Sequence, residues 1–275
     1  VSAPARDDAQ AHGTLDLPLV PPPGGTVLHS SERATVIWGD CRDPAVIAAV
    51  PDWYGLLCTD PPYGKAWHNG YHRRVPFEPL AGDDGSVDWP AVLAEWVGPT
   101  GTYNQGLASS RHVYVFGYRP EALAEPLRLG RAAAELIWDK CKTGLGSLEQ
   151  PWGPAHEVLT FGVHTKSRAG RAKGEGTVAA RMRKGSVLRV PRKNSTQVNR
   201  HPTEKPVALM QELIESSTVR GDLVVDPCAG SGSTGVAAVL AGRRAHLVEI
   251  DRRYAELAAD RVRAAEAVAA QMDRL

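Results

Sequence analysis

Cysteine is scarce and scattered in this chain. Cys41, Cys58, Cys141 and Cys228 form no CxxC pair and lie far apart, so neither a disulfide framework nor a cysteine zinc site is expected. His68 and His72 stand four apart in a polar stretch with no third ligand near them, so no metal site is expected there either. No apolar run reaches about 18 residues, and no basic-then-apolar leader opens the sequence. Neither a membrane span nor a signal peptide is expected, and the expected compartment is cytoplasmic, with the thiols reduced. Internal repeats are absent. So is a strong net charge: the formal value is +1.

What is present is a globular composition. The 275 residues are 43% hydrophobic and 23% charged, enough to bury a core without staples. The charge is unevenly spread. Residues 164–193 hold ten Lys/Arg and one acid, Glu175, a local charge of +9 against +1 for the whole chain. A basic patch on a slightly acidic body points to a polyanionic partner bound at one place.

Residues 1–30 are rich in Pro and Ala, with PPPGG at 21–25, and are expected to form a flexible arm ahead of a domain at 31–275. Strands are expected at 34–38, 55–59, 112–118, 134–140, 156–162, 222–227 and 244–251. Helices are expected at 44–50, 88–98, 120–130, 205–218, 235–242 and 252–270. Strands alternating with helices predict a doubly wound, mostly parallel α/β sheet. Residues 64–88 read as a long mobile loop, and 163–200 as an insertion.

Three motifs carry chemistry. DPCAGSGSTG (226–235) takes a strand into a glycine-rich turn and then a helix. It is neither GxGxxG nor a phosphate loop, because no Lys follows, so it fits a nucleoside ligand better than a triphosphate. About twenty residues on, a strand ends in Glu249-Ile250-Asp251, where doubly wound folds bind ribose hydroxyls. TDPPYG (59–64) follows a buried-looking strand. Two prolines stiffen the corner, so the Asp60 carboxylate, the nearby carbonyls and the Tyr63 ring keep a fixed relation. That arrangement suits a planar group bearing an NH2. HPTEKPVALMQELI (201–214) opens a helix at Lys205-Pro206 and by itself reads as an ordinary helix start.

Taken together and in this order, DPPY, HPTEKP and DPCAGSGST resemble the β-class of amino DNA methyltransferases, which act on adenine N6 or cytosine N4. The resemblance covers roughly residues 33–262 and includes Gly39-Asp40, Ile137-Trp138-Asp139-Lys140 and His156-Glu157. It implies a circularly permuted, Rossmann-like, S-adenosyl-L-methionine-dependent methyltransferase fold. Its sheet would have seven strands, with a small DNA-recognition segment inserted at 163–200.

By resemblance the cofactor is S-adenosyl-L-methionine, leaving as S-adenosyl-L-homocysteine. Asp226, Pro227, Gly230, Ser231 and Gly232 would surround its methionine part, with Thr203, Lys205 and Pro206 close by. Glu249, followed by Ile250, would take the ribose hydroxyls. Asp40 would take the adenine amino group, with Cys41 lining the same pocket. Asp60 and Pro61, stiffened by Pro62, would hold the target amino group, and Tyr63 would stack on a flipped base. The amino nitrogen then attacks the methyl in line, so no cysteine nucleophile is required, and Cys58 is read as packing.

Double-stranded DNA is the implied partner. Lys166, Arg168, Arg171, Lys173, Arg181, Arg183 and Lys184 of the basic segment, with Lys65, Arg73 and Arg74 of the loop, would meet it. A homodimer and a cognate restriction endonuclease stay open as partners. DPPY leans toward adenine N6 and leaves cytosine N4 as the alternative. Methylation of RNA or of a protein amide fits less well, because such relatives place the cofactor motif first. A non-catalytic DNA-binding relative fits poorly with intact Asp60, Tyr63 and Glu249.

Overall fold

The computed structural model describes residues 20–51, 54–63, 82–98, 110–130, 133–144, 151–165, 184–192 and 204–274. Among them nine strands form one sheet: β1 (Thr26–Ser30), β2 (Ala34–Trp38), β3 (Leu56–Thr59), β4 (Ser110–Phe116), β5 (Ala134–Asp139), β6 (His156–Thr165), β7 (Val187–Arg189), β8 (Leu223–Asp226) and β9 (Arg244–Glu249). Six helices accompany them: α1 (Pro44–Ala48), α2 (Trp89–Val97), α3 (Pro120–Leu123), α4 (Val207–Glu215), α5 (Ser233–Leu240) and α6 (Arg252–Met272).

The order across the sheet is β1-β2-β9-β8-β3-β4-β6-β5-β7. Pairs from β2 to β4 are parallel, as is β5 with β7. Only β1 and β6 run against the rest. The seven strands read from sequence form the body of the sheet. The two unread strands, β1 and β7, are its edges.

Both edges correct the sequence reading. Residues 26–30 are not part of an arm: Thr26 faces Trp38 and Ser30 faces Thr35 in an antiparallel ladder. The Asp43 carboxylate also accepts the Gly24 N–H at 2.7 Å. Likewise β7, inside the expected insertion, pairs with β5, and Trp138 Nε1 donates to the Val190 carbonyl at 2.7 Å. Three residues of VLR carry no periodicity to read, and β1 follows a proline cluster that masks it. The expected helix at 120–130 also shortens to α3, because Pro126 cannot continue it.

Alternation along the strands builds two cores. Leu56, Cys58, Tyr114 and Phe116 face α4, α5 and α6, packing with Leu209, Leu213, Ala237 and Ala258. Leu57, Val113, Val115 and Val225 face the other way, onto Val46 of α1, Trp89, Leu93 and Trp96 of α2, and Leu123 of α3. A sheet covered on both sides needs strands apolar on both faces, which is why β3 and β8 are buried throughout. Among the described residues no helix is long and apolar enough to cross a membrane.

This topology fixes where chemistry can occur. The carboxyl ends of β2, β9, β8, β3, β4 and β5 share one edge of the sheet, the ligand-binding edge of open α/β folds. Because β6 is antiparallel, its amino end, with His156 and Glu157, reaches that same edge.

Candidate active site

The edge holds two adjoining clusters, one on each side of the β8–β3 pair. The first is built on β8, β9 and α5. Asp226 ends β8, and its carboxylate accepts the Cys228 N–H at 3.1 Å and the Thr234 hydroxyl at 2.5 Å. The turn between them is pinned: Glu249, ending β9, accepts the Gly230 N–H at 2.7 Å and the Asp251 N–H at 2.8 Å. Burial pushes Asp226 up to about 6 and Glu249 up to about 7, against the pull of these hydrogen bonds.

Two glycines make the turn possible. Gly230 and Gly232 have φ of 52° and 79°, the left-handed region. At Gly232 a Cβ would lie 2.8 Å from Ala258 Cβ and 2.9 Å from its Cα, so this glycine also lets α5 meet α6. Gly232 is the N-cap of α5, whose first turn has no side-chain cap. Ser231 is held by Arg261, whose guanidinium donates to the serine carbonyl and hydroxyl, both at 2.7 Å. The same guanidinium reaches Glu204 at 3.2 Å.

Across β9 from this cluster, Asp40 follows β2. Both of its oxygens are taken by Arg42, with Nε at 2.9 Å and Nη2 at 2.7 Å. Burial raises the Asp40 carboxyl, but the Arg42 hydrogen bonds and charge outweigh it and hold it below its ordinary value. Cys41 is buried, with its carbonyl bonded to Trp96 Nε1 at 2.8 Å, and the Ile250 carbonyl accepts from Trp38 Nε1 at 3.0 Å.

The second cluster is built on β3, β4, β5 and β6. Asp60 follows β3, where Leu57 is register-paired with Val225 of β8. Its Oδ1 accepts the Tyr63 hydroxyl, and its Oδ2 accepts the Lys205 ammonium. Lys205 Nζ also lies 3.3 Å from Glu157 Oε2, and Lys140 Nζ lies 2.8 Å from Glu157 Oε1. Two cations and two carboxylates thus alternate from β5 to the Asp60 corner. Lys205 is buried, with Phe116 beneath its ammonium at 5.0 Å from the ring centre.

The Asp60-Pro61-Pro62-Tyr63 corner is fixed from outside as well. Tyr118 donates its hydroxyl to the Pro62 carbonyl at 3.1 Å, and the Tyr63 N–H donates to Asp83 at 3.1 Å. Tyr63 and Tyr118 meet edge to face, with ring centres 6.2 Å apart. The Tyr63 ring lies against Gly117, where a Cβ would overlap it. Asp83 and Gly82 fall in the stretch read as a mobile loop. Here they are tied, because the Gly82 carbonyl also accepts from Trp89 Nε1 at 3.2 Å.

Charge balance decides the titration of this cluster. Burial raises Asp60; Lys205 pulls it down, Glu157 pushes it up, and the carboxyl ends above its ordinary value. Burial also opposes Glu157, but Lys205 and Lys140 overcome it and hold Glu157 low. Burial lowers Lys205, and the two carboxylates more than restore it. Cys58, wholly buried on β3, has its thiol pushed up by burial, as packing residues do.

The sequence reading placed Lys205 beside a cofactor; its ammonium is seen on Asp60 and Glu157. Pro206 was expected inside the first turn of its helix and is the N-cap of α4. Pro61 and Pro227 are buried beside their acids. Lys184 lies 3.7 Å from Glu212 on α4. Thr203, Lys65, Arg73, Arg74, Lys166, Arg168, Arg171, Lys173, Arg181 and Arg183 lie outside the described residues. Lys140 and Glu157 were read from sequence only as parts of the family pattern, with no site role, and Tyr118, Asp83, Arg42, Thr234 and Arg261 were not singled out. For Glu157 a signal exists: an acid at the start of a strand that must run antiparallel to reach the site edge. Among the described residues no group of three His, Cys, Asp or Glu side chains is placed to hold a metal ion.

The chain is 42% identical over 65 residues to the type II methyltransferase M2.DpnII of Streptococcus pneumoniae, 24% of each chain. It is 44% identical over 57 residues to the DNA adenine methyltransferase YhdJ of Escherichia coli K12, 21% of this chain and 19% of that one. The chain thus matches about a quarter or less of the length of these curated relatives. Its fold is similar to that of the cytosine-N4-specific PvuII DNA methyltransferase, with a TM-score of 0.58 at 17% identity, over 90% of this chain and 95% of that one. It is also similar to the M1.HpyAVI–SAM complex, with a TM-score of 0.50 at 20% identity, over 76% and 88%. A sequence model described as DNA methylase matches residues 56–260, which take in both clusters apart from Arg261, and the chain belongs to this N6/N4 DNA methylase family.

Proposed function

We propose that the chain transfers a methyl group from S-adenosyl-L-methionine to the exocyclic amino nitrogen of a base in double-stranded DNA, with adenine N6 as the leading target. The observation that carries this reading is the placement of Asp60 at the end of β3, beside the Asp226 end of β8 and its glycine-rich turn. A group held by the turn and a group held by Asp60 then meet at one edge.

The turn fits a nucleoside cofactor. Glu249 is buried, yet each of its oxygens accepts one backbone N–H, which leaves lone pairs for two ribose hydroxyls. The uncapped first turn of α5 and the closely approaching Gly230 and Gly232 suit the methionine end. Asp40 reads the adenine amino group once Arg42 yields one carboxylate oxygen. When bound, the cofactor supplies an electrophilic methyl on a sulfonium. The family pattern with the Asp60 strand ahead of the glycine-rich strand in sequence corresponds to the circularly permuted order.

Asp60 and the Pro61 carbonyl accept the two amino protons, which aims the nitrogen lone pair at the methyl. With the cofactor bound, the nitrogen would form its bond to the methyl as the S–C bond broke, with S-adenosyl-L-homocysteine as the leaving group, and Asp60 or water would take one amino proton. Catalysis is positioning and field rather than covalent chemistry. The base must leave the duplex, and the Tyr63 ring offers it a face. The basic segment around Arg181, Arg183 and Lys184 supplies phosphate contacts. DPPY supports adenine; cytosine N4 presents the same NH2 to the same acceptors and is the second reading.

The test is transfer of a tritiated methyl from the cofactor to unmethylated DNA of mixed sequence, alongside calorimetric binding of the cofactor. Cofactor binding with label in the DNA supports the reading. Cofactor binding with no label in DNA contradicts it.

A further inference from the structure

A buried ammonium is costly unless paired, and Lys205 is paired twice. Its partners come from distant parts of the chain: Asp60 after β3 and Glu157 at the start of β6. Glu157 is in turn held by Lys140 at 2.8 Å, at the end of β5. Lys205 precedes α4 by two residues, so its backbone is fixed by a helix packed on the sheet. Asp60 has two oxygens, and they are not equivalent. Oδ2 faces this internal ion chain, whereas Oδ1 carries the hydroxyl of Tyr63, a side chain of the same corner.

Resting on the methyltransferase reading, we propose that Lys205, backed by Glu157, is a positioning residue for Asp60. It anchors Oδ2 and leaves Oδ1, now carrying the Tyr63 hydroxyl, as the exchangeable acceptor for the target amino group. Two consequences follow from the charges. Lys205 keeps Asp60 in the anionic form that accepts a proton-bearing nitrogen. Glu157 tempers Lys205, so the ammonium does not place a net positive charge beside the cationic methyl donor.

Among the described residues the groups facing Asp60 are Lys205 from the α4 approach, Tyr63 from its own corner, Glu157 from β6, Asp226 from β8 and Cys58 from β3. Of these only Lys205 is a cation. Removing it leaves Asp60 and Glu157 facing each other without the cation between them, and the carboxyl with the weaker remaining support takes up a proton. Lys140 still supports Glu157, so that carboxyl is Asp60.

The experiment is carboxyl-carbon NMR titration of the full chain labelled at aspartate, with Asp60 assigned from Asp60→Asn. Lys205→Met is expected to move the Asp60 midpoint up by at least one pH unit, Lys205→Arg to return it toward the unsubstituted value, and Glu157→Gln to move it down. In single-turnover methyl transfer, the acid limb of the rate profile is expected to follow the same shifts, while the cofactor Kd changes less than threefold. An Asp60 midpoint unmoved by Lys205→Met overturns the proposal. So does a tenfold loss of cofactor affinity without a midpoint shift, which instead puts Lys205 on the cofactor. If Lys205→Met fails to fold, Glu157→Gln decides: a midpoint that does not fall overturns the proposal. The titration needs no turnover, so its failure is distinct from failure of the methyltransferase reading, which shows as absent label in DNA with the unsubstituted chain.

Discussion

Glu249 accepts the N–H of Gly230 at 2.7 Å, and this bond, beside that of the Ala229 N–H to the Val248 carbonyl at 2.9 Å, joins the end of β9 to the glycine-rich turn after β8. The acid therefore shapes the turn as well as offering acceptors to a ligand. Glu249→Gln weakens the acceptor and removes the charge. Cofactor affinity is expected to fall about tenfold or more, since a hydrogen bond to a charged group contributes roughly 1.5–3 kcal/mol. Calorimetry checks it, and an unchanged Kd would remove Glu249 from the ribose site.

The same residue gives a pH dependence. Burial raises Glu249 in the folded protein to about 7 from an ordinary 4.5. A raised carboxyl means that the folded state holds a proton the unfolded state has lost. This group's contribution to stability therefore falls as pH climbs through that window and is fully lost above it. Ligand hydroxyls donate best to the carboxylate, so cofactor affinity is expected to tighten as pH rises through that value of about 7. Titrating the Kd from mildly acidic to mildly basic pH tests the sign.

Glycine-rich turns are usually explained by ligand approach, but Gly232 has a second constraint. Gly232→Ala combines a φ of 79° with a Cβ 2.9 Å from the Ala258 Cα. The expected result is a loss of about 1–3 kcal/mol, seen as a lower Tm even without cofactor. A Tm equal to that of the parent chain would contradict the packing explanation.

Gly117 seats the Tyr63 ring. Gly117→Ala adds a methyl where that ring lies, at a φ of 76°. Tyr63 must move, and with it the hydroxyl on Asp60. Methyl transfer is expected to drop by about tenfold or more while the cofactor Kd holds, because a small misplacement near the chemistry is costly. Retained turnover would mean that the ring position is immaterial.

Charge reversal at Arg181, Arg183 and Lys184 together is expected to weaken DNA binding and flatten its salt slope, by about one unit for each phosphate that is no longer neutralised. Binding measured at several salt concentrations checks this. Unchanged affinity would detach the basic segment from DNA.

Much of this was legible in the chain. The body of the sheet was readable because β-branched runs such as ATVIW and the DLVVDP stretch end in Gly, Pro or Asp. Asp60, Asp226 and Glu249 were readable because each is an acid closing a buried strand. Lys205 and Glu157 were not legible as partners. They stand far apart in sequence and meet only because β6 runs antiparallel and α4 returns to the site edge. Ser231 was legible, but Arg261 was not: on a long Ala/Arg helix it looks like any solvated cation, until α6 packs beside the turn. The edge strands escaped because pairing partners, not local pattern, make them strands.

Everything proposed for the site depends on Asp60 presenting an amino nitrogen to a methyl donor. Nucleoside mass spectrometry puts this to the sharpest test, using unmethylated DNA and S-adenosyl-L-methionine with a deuterated methyl, for the unsubstituted chain and Asp60→Ala. Label is expected on N6-methyldeoxyadenosine, reduced at least about a hundredfold by the substitution with cofactor binding kept. Label on N4-methyldeoxycytidine would correct the base alone. Label undiminished in Asp60→Ala, or absent from DNA in the unsubstituted chain, would contradict the role given to Asp60.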